Sequence, residues 1–248
     1  MISRPGVTNE GAIATETEQP TPTAGVLWLV PTSLLLLSAI SIALLDVPIG
    51  AWFREHHLFK PLREFFEAAE HFGTPAGQFL LLAVIGWQLV DVHGRPKLQW
   101  DVRTVRIFVA ALLSGLTANV FKLCITRSRP RAFAFHESSI WSGFGDWFPL
   151  GAGGSDFQSF PSAHTASAVG FAVLLSWAWP ERRAVFFVLA TLVGMQRIAV
   201  RAHFPSDVLA GAAVGWLFAQ LYIRESHVSR WWTRWEERYR IWATAPRD

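Results

Sequence analysis

Two histidines, an acid and three cations set the chemistry open to this chain. His203 and Asp207 stand four residues apart in "RIAVRAHFPSD", Arg197 to Asp207. That spacing is about one helical turn, so Asp207 can accept from one imidazole nitrogen and leave the other free to attack. His164 ends "PSAH", Pro161 to His164, at the head of an apolar run, where an ionisable side chain is costly in lipid. Ser162 is a natural N-cap for that run. The N–H groups of its first turn, Ala163 among them, favour an anion together with the helix dipole. Lys122 and Arg129 in "KLCITRSRP" and Arg197 supply the cations. Lys122 and Arg129 are seven apart, about two helical turns, so they share a face while the helix lasts. Pro130 should fray that helix close to its own position. One histidine to attack phosphorus, a second to protonate the leaving alkoxide, and cations to neutralise the spreading charge are the parts of a phosphoryl transfer. No carboxylate cluster for Mg²⁺ stands near them in sequence, so no metal and no cofactor are expected.

The elements that must position these groups read as helices built for lipid. Of the 248 residues 51% are hydrophobic and 17% are charged, where a soluble domain would carry about a quarter charged. Mean hydropathy is +0.27. Six apolar spans are expected, over Val26–Leu45, Ala76–Val92, Thr104–Ile125, Ala163–Trp179, Ala184–Gln196 and Val208–Ile223, lengths that suit a bilayer core. Gly and Ala in the last three suit close helix packing. Between the first two spans, Phe59, Leu62, Phe66 and Ala69 fall at helical spacing in a stretch of mixed charge. That stretch reads as an interfacial amphipathic helix, and His56, His57 and His71 read as solvated residues upon it. The fold class is therefore all-α: an integral membrane bundle of six transmembrane helices plus that interfacial helix.

Residues 1–25 are polar, have no apolar core of a leader peptide, and read as a disordered tail. Residues 26–223 form the membrane domain. Residues 224–248 form a basic, Trp-rich tail, and many of the 13 Trp of the chain lie at span ends like an interfacial belt. The net charge of +3 and pI near 9.5 come from Lys and Arg between spans and not from a continuous stripe, so no nucleic-acid partner is expected. Cys124 is the single cysteine, which excludes an intrachain disulfide and a cysteine metal site. Arg95, Lys97, Arg103, Arg182, Arg183 and the tail arginines fall on one face of a six-span plan, which makes that face and both termini cytoplasmic. Lys122, Arg127, Arg129, Arg131, Arg197 and Arg201 fall on the opposite face. An anionic ligand there explains positive charge on the wrong side.

Lys-x6-Arg-Pro, then Pro-Ser-x-His, then Arg-x5-His-x3-Asp, in that order over Lys122 to Asp207, resembles the type-2 phosphatidic acid phosphatase superfamily. The six-span plan extends the likeness over about residues 26–223. The resemblance implies a nucleophilic His203 that forms a phosphohistidine, oriented by Asp207. It implies His164 as the acid that later activates water. Lys122, Arg129 and Arg197 would hold the phosphate with Ser162 and the N–H groups near Ala163. Two positions depart from the pattern: Ala163 stands for the usual Gly and keeps its N–H, and Gln196 stands for the usual Ser and removes one hydroxyl contact.

The implied protein is a metal-independent membrane phosphatase for a lipid phosphomonoester or diphosphate, with its site at the extracytoplasmic mouth of a bacterial inner membrane. Phosphatidate, phosphatidylglycerol phosphate, undecaprenyl diphosphate and lipid A all fit, and no obligate protein partner is evident. A non-catalytic binder or transporter of anionic lipids would use the same cations without needing both histidines and Asp207. A phosphotransferase to an acceptor other than water would need all of them. Residues 131–160, rich in Gly, Phe and Trp, read either as a surface loop or as a lid that receives a lipid tail. Asp146 and Asp156 lie there with no spacing that gives them a role.

Overall fold

The computed structural model describes residues 24–88, 102–135, 141, 143–148, 150 and 154–244. Residues 1–23 of the tail expected over 1–25, the basic residues Arg95 and Lys97, and parts of the 131–160 segment lie outside the described residues. Residues 24 and 25 of that tail already belong to the first helix. Nine α-helices are described: α1 (Ala24–Leu44), α2 (Asp46–Glu55), α3 (Lys60–Glu70), α4 (Pro75–Gln88), α5 (Val102–Lys122), α6 (Ala163–Ala178), α7 (Arg183–Ala199), α8 (Pro205–Ile223) and α9 (His227–Thr244). Two short strands, β1 (Ile125–Arg127) and β2 (Phe144–Trp147), pair antiparallel.

The bundle is organised around α6. It packs against α5, α7 and α8, and α8 packs in turn against α1 and α5. Phe171, Leu174 and Leu175 of α6 are fully buried. Large apolar side chains such as Leu36, Leu80, Val120 and Val188 instead face outward, as expected where lipid is the solvent. Small residues set the α6–α8 distance. A Cβ on Gly215 would lie 2.2 Å from the Ala166 carbonyl oxygen, and one on Gly211 would lie 2.4 Å from that of Ser162. Only glycine admits so close an approach of one helix to the backbone of another.

Among the described residues, α5 and α8 are long and apolar enough to cross a membrane. A third span results if α1 and α2, bent by 64° at Leu45, count as one. Residues Pro75–Ile85 and Ala163–Ala178 are apolar but shorter. The helical membrane architecture is thus present, with two to three spans by length and composition where the sequence led us to expect six. The difference lies in helix length: α6 and α7 have 16 and 17 residues, and α4 runs up to the boundary of the described residues.

Two local expectations are corrected. The helix expected between the first two spans is α3, which begins at Lys60 and so leaves out Phe59, and a separate helix, α2, precedes it across a break at His56–Phe59. Of the expected apolar stripe, Phe66 is buried and Phe59 stays exposed, and α3 packs on α7. The helix of the third span ends at Lys122, short of the expected Ile125 and of the fraying point at Pro130. After a turn at Leu123–Cys124 the β-branched pair Ile125–Thr126 enters β1, whose pairing with β2 replaces the next helical turn. Lys122 and Arg129 therefore do not share a helix face.

Candidate active site

Four helix ends meet at one end of the bundle. The last turn of α5 brings Lys122, the first turn of α6 brings Ala163 and His164, the last turn of α7 brings Arg197, and the first turn of α8 brings Asp207. Antiparallel packing puts a C-terminus of one helix beside the N-terminus of the next, so residues far apart in sequence converge.

Ser162 caps α6 as its sequence position predicts. Its backbone is extended, and its Oγ accepts from Thr165 N–H at 3.4 Å and from Thr165 Oγ1 at 2.9 Å. Its own N–H donates to the Asp207 carbonyl at 2.9 Å, which ties the starts of α6 and α8 together. Pro205 opens α8, where its missing N–H costs nothing. The Arg197 carbonyl accepts from both Ala202 N–H and His203 N–H at 3.1 Å. The turn between α7 and α8 thus fixes the phosphate-binding candidate and the nucleophile candidate through one atom.

His203 is buried, and its Nδ1 lies 3.6 Å from Asp207 Oδ2. That is contact distance for an ion pair and is longer than a hydrogen bond. Asp207 is itself held by other donors: Ser159 Oγ at 2.6 Å and Phe204 N–H at 2.8 Å on Oδ2, and Arg127 on Oδ1. Arg127 also pairs with Asp46 at 2.5 Å. Its guanidinium is caged by the rings of Phe144 and Phe204, at 4.5 and 4.7 Å. Ser206 donates from its N–H to Asp46 Oδ1 and from its Oγ to Oδ2. Asp46, Arg127 and Asp207 are all nearly inaccessible, so this ion triad is a rigid base under His203.

Burial lowers the pKa of His203 from its ordinary value to about 4, opposed by Asp207 and reinforced by Lys122 and Arg129. His203 is therefore neutral at neutral pH, the state in which an imidazole nitrogen attacks. Between pH 6.5 and about 4 the unfolded chain binds a proton that the folded His203 refuses. The fold therefore loses stability as pH falls through that window. Thermal unfolding of the wild type against His203→Gln over pH 7 to 4 checks this, with the variant showing the flatter dependence.

On the other side of the site, Glu70 pairs with Arg197 at 2.6 Å and lies 3.5 Å from His164 Nε2. Lys122 is buried and lies within electrostatic reach of Arg129, Arg197 and Asp207. Arg129 arrives from the strand side. Its Nε donates to the Ser155 carbonyl at 2.8 Å, and its N–H donates to that of Asp156 at 2.7 Å. Burial lowers its pKa from the ordinary value, with Arg131 as the next cause, and a guanidinium stays charged regardless. Asp156 is engaged by Arg131 at 2.5 and 2.9 Å and serves the loop's own structure.

The structure thus gathers His203, Asp207, His164, Lys122, Arg129 and Arg197 around the Ser162–Ala163 helix start, an arrangement suited to a phosphoryl group. Sequence reasoning missed Glu70, Asp46, Arg127 as a buried partner, Ser159 and Ser206. Asp46 had a readable signal, since an acid at the end of an apolar run demands a partner.

The PAP2 superfamily profile matches residues 103–231. The lipid A 1-phosphatase of Rhizobium etli is 32% identical over 194 residues, covering 74% of this chain and 78% of that one. That of Rhizobium johnstonii is also 32% identical, over 73% of each chain. The crystal structure of Aquifex aeolicus LpxE superposes with a TM-score of 0.48 at 24% identity, covering 71% of this chain and 93% of that one. By the profile match and the rhizobial relatives, the chain belongs to the PAP2 superfamily and is a membrane phosphatase.

Proposed function

We propose that the protein removes phosphate from a lipid through a phosphohistidine on His203, without a metal ion. The observation that carries this is the convergence of a buried, neutral His203, a second histidine and three cations on one helix start. His203 attacks phosphorus as the P–O bond to the lipid breaks, and the departing alkoxide takes a proton from the His164 imidazolium. Neutral His164 then takes a proton from water as its oxygen attacks phosphorus. The P–N bond breaks, and phosphate leaves with both histidines restored. Lys122, Arg129, Arg197 and the N–H groups of the α6 start balance the charge on the equatorial oxygens. The nearby carboxylates are already matched by protein cations, Asp46 and Asp207 by Arg127 and Glu70 by Arg197. That matching favours catalysis by fixed side-chain charge, and phosphate release should persist in EDTA.

The kinship with the rhizobial enzymes favours a lipid A-type 1-phosphate as substrate, ahead of phosphatidate, phosphatidylglycerol phosphate and undecaprenyl diphosphate. An apolar cavity of about 720 Å³ supports a lipid. Its lining includes Phe160 and Pro161, which precede Ser162 in the chain, together with Val214, Leu217 and Leu221 of α8 and Leu35 of α1. One acyl chain fits such a groove while its phosphate lies among the cations. Val214→Trp should therefore lower kcat/KM for a long-chain lipid phosphate by about 10- to 100-fold. Hydrolysis of a water-soluble short-chain phosphate ester by the same variant should stay near the wild-type rate, and parallel assays of the two check this.

The six-span topology, with the site at the extracytoplasmic mouth of an inner membrane and both termini cytoplasmic, belongs to the same proposal. Its support is the placement of Arg182, Arg183 and the arginines of α9 at the end of the bundle away from the site.

A further inference from the structure

Glu70 ends α3, ahead of the profile-matched region and outside every motif of the sequence. Its Oε1 meets Arg197 Nη2 at 2.6 Å and lies 3.5 Å from His164 Nε2. Its Oε2 accepts from Gln196 Nε2 at 2.8 Å. Gln196 Oε1 accepts in turn from Arg197 Nε at 2.5 Å. Glu70, Gln196 and Arg197 therefore close a ring, and Arg197 is braced at two nitrogens of its guanidinium, Nε and Nη2. Where the superfamily pattern has a serine, this chain has a side chain long enough to reach Glu70.

A carboxylate beside a phosphate site repels the substrate unless it has a task. It could stand in for the phosphate and swing away, or it could orient its neighbours. The seating favours orientation. Both oxygens are engaged, and α3 packs on α7. The turn that follows Glu70 is pressed on α6 so closely that a Cβ on Gly73 would lie 2.8 Å from the His164 carbonyl oxygen.

We propose that Glu70 is a positioning residue of the phosphatase, holding the His164 ring and the Arg197 guanidinium as a second carboxylate–histidine pair facing the Asp207–His203 pair. The inference rests on the phosphatase reading above. The groups that face His164 are Glu70 from α3, Arg197 from α7, His203 from the turn before α8, Lys122 from α5 and Arg129 from beyond β1. Among these five Glu70 is the anion, and without it the His164 ring would face only cations and a second imidazole.

The test is steady-state phosphate release by the full-length protein in detergent micelles. Wild type, Glu70→Gln, Glu70→Asp and Glu70→Ala are compared on lipid A 1-phosphate from pH 4.5 to 9. Glu70→Gln should lower kcat by up to about 100-fold, leave KM nearly unchanged, and move the alkaline limb of the kcat profile to lower pH. Glu70→Asp should recover part of both effects. Gln196→Ala, which removes only the amide brace, should show the same changes in smaller measure, and it keeps the test open if Glu70→Gln does not fold. A lower KM with undiminished kcat in Glu70→Gln would make Glu70 a stand-in for phosphate and overturn the proposal. So would an unmoved alkaline limb with Glu70→Asp no better than Glu70→Ala, the result of a merely structural role. Wild type releasing no phosphate from any lipid phosphate would overturn the phosphatase reading itself, and the wild-type arm alone reports that failure.

Discussion

His203→Ala should leave a folded protein whose phosphate release is at least about 10⁴-fold below wild type, the scale of loss when a catalytic nucleophile is removed. His203 is one of the larger fully buried side chains, but its Nδ1 has no hydrogen-bond partner among the described residues, so truncation breaks no hydrogen bond at that atom. A cavity remains, and the cost to the fold is moderate, about 1–3 kcal/mol. Asp207 keeps Arg127, Ser159 and Phe204 as partners without the histidine. Activity should therefore vanish while thermal unfolding shifts little. Phosphate release against several lipid phosphates, with unfolding of the same samples, checks both halves. A variant with undiminished turnover would remove His203 from the mechanism.

Arg127→Ala should produce the largest loss of stability of any single change near the site. The guanidinium bridges two carboxylates, and side-chain exposure is 3% for Arg127, 3% for Asp46 and 0% for Asp207. Removing one member of a buried ion set leaves uncompensated charge, at a cost of about 3–5 kcal/mol. Here two acids are orphaned, and three aromatic rings lose the cation they surround. We expect Tm in detergent to fall by about 10 °C, with turnover lost because Asp207 no longer holds its place beneath His203. Arg127→Lys should recover little, since one ammonium does not reproduce a planar fork that reaches both acids. Thermal unfolding and turnover of the two variants decide this, and a stable, active Arg127→Ala would show that the triad is dispensable.

Much of the site was legible because its groups sit at helix ends, where sequence carries local signals. Ser162 as a cap, Pro205 at the start of α8 and the His203–Asp207 spacing each follow from rules that act over four residues or fewer. The partners of those groups were hidden because nothing local announces them. Glu70 lies 126 residues from Gln196, and Asp46 lies 81 from Arg127. Glu70 also lies in a stretch of mixed charge, where an acid is ordinarily solvated. The end of α5 was misplaced for a different reason. Proline at 130 marks where a helix must stop, while the actual stop at Lys122 is imposed by the pairing of β1 with β2, a contact the sequence does not advertise. Bundle packing was legible in the glycines of α8, whereas length and composition alone mark two to three spans among the described residues, because short apolar helices satisfy a hydropathy pattern without reaching the usual spanning length.

The most direct test of the central claim is to trap the intermediate. Purified protein would be mixed in EDTA with a lipid phosphate labelled at phosphorus, quenched within a single turnover, and digested for peptide mapping. The mechanism predicts an acid-labile, alkali-stable phosphate on the peptide that carries His203, absent from His203→Ala, with turnover unaffected by the chelator. Phosphate released at the full rate with no label on His203, or release that stops in EDTA and returns with a divalent cation, would contradict it.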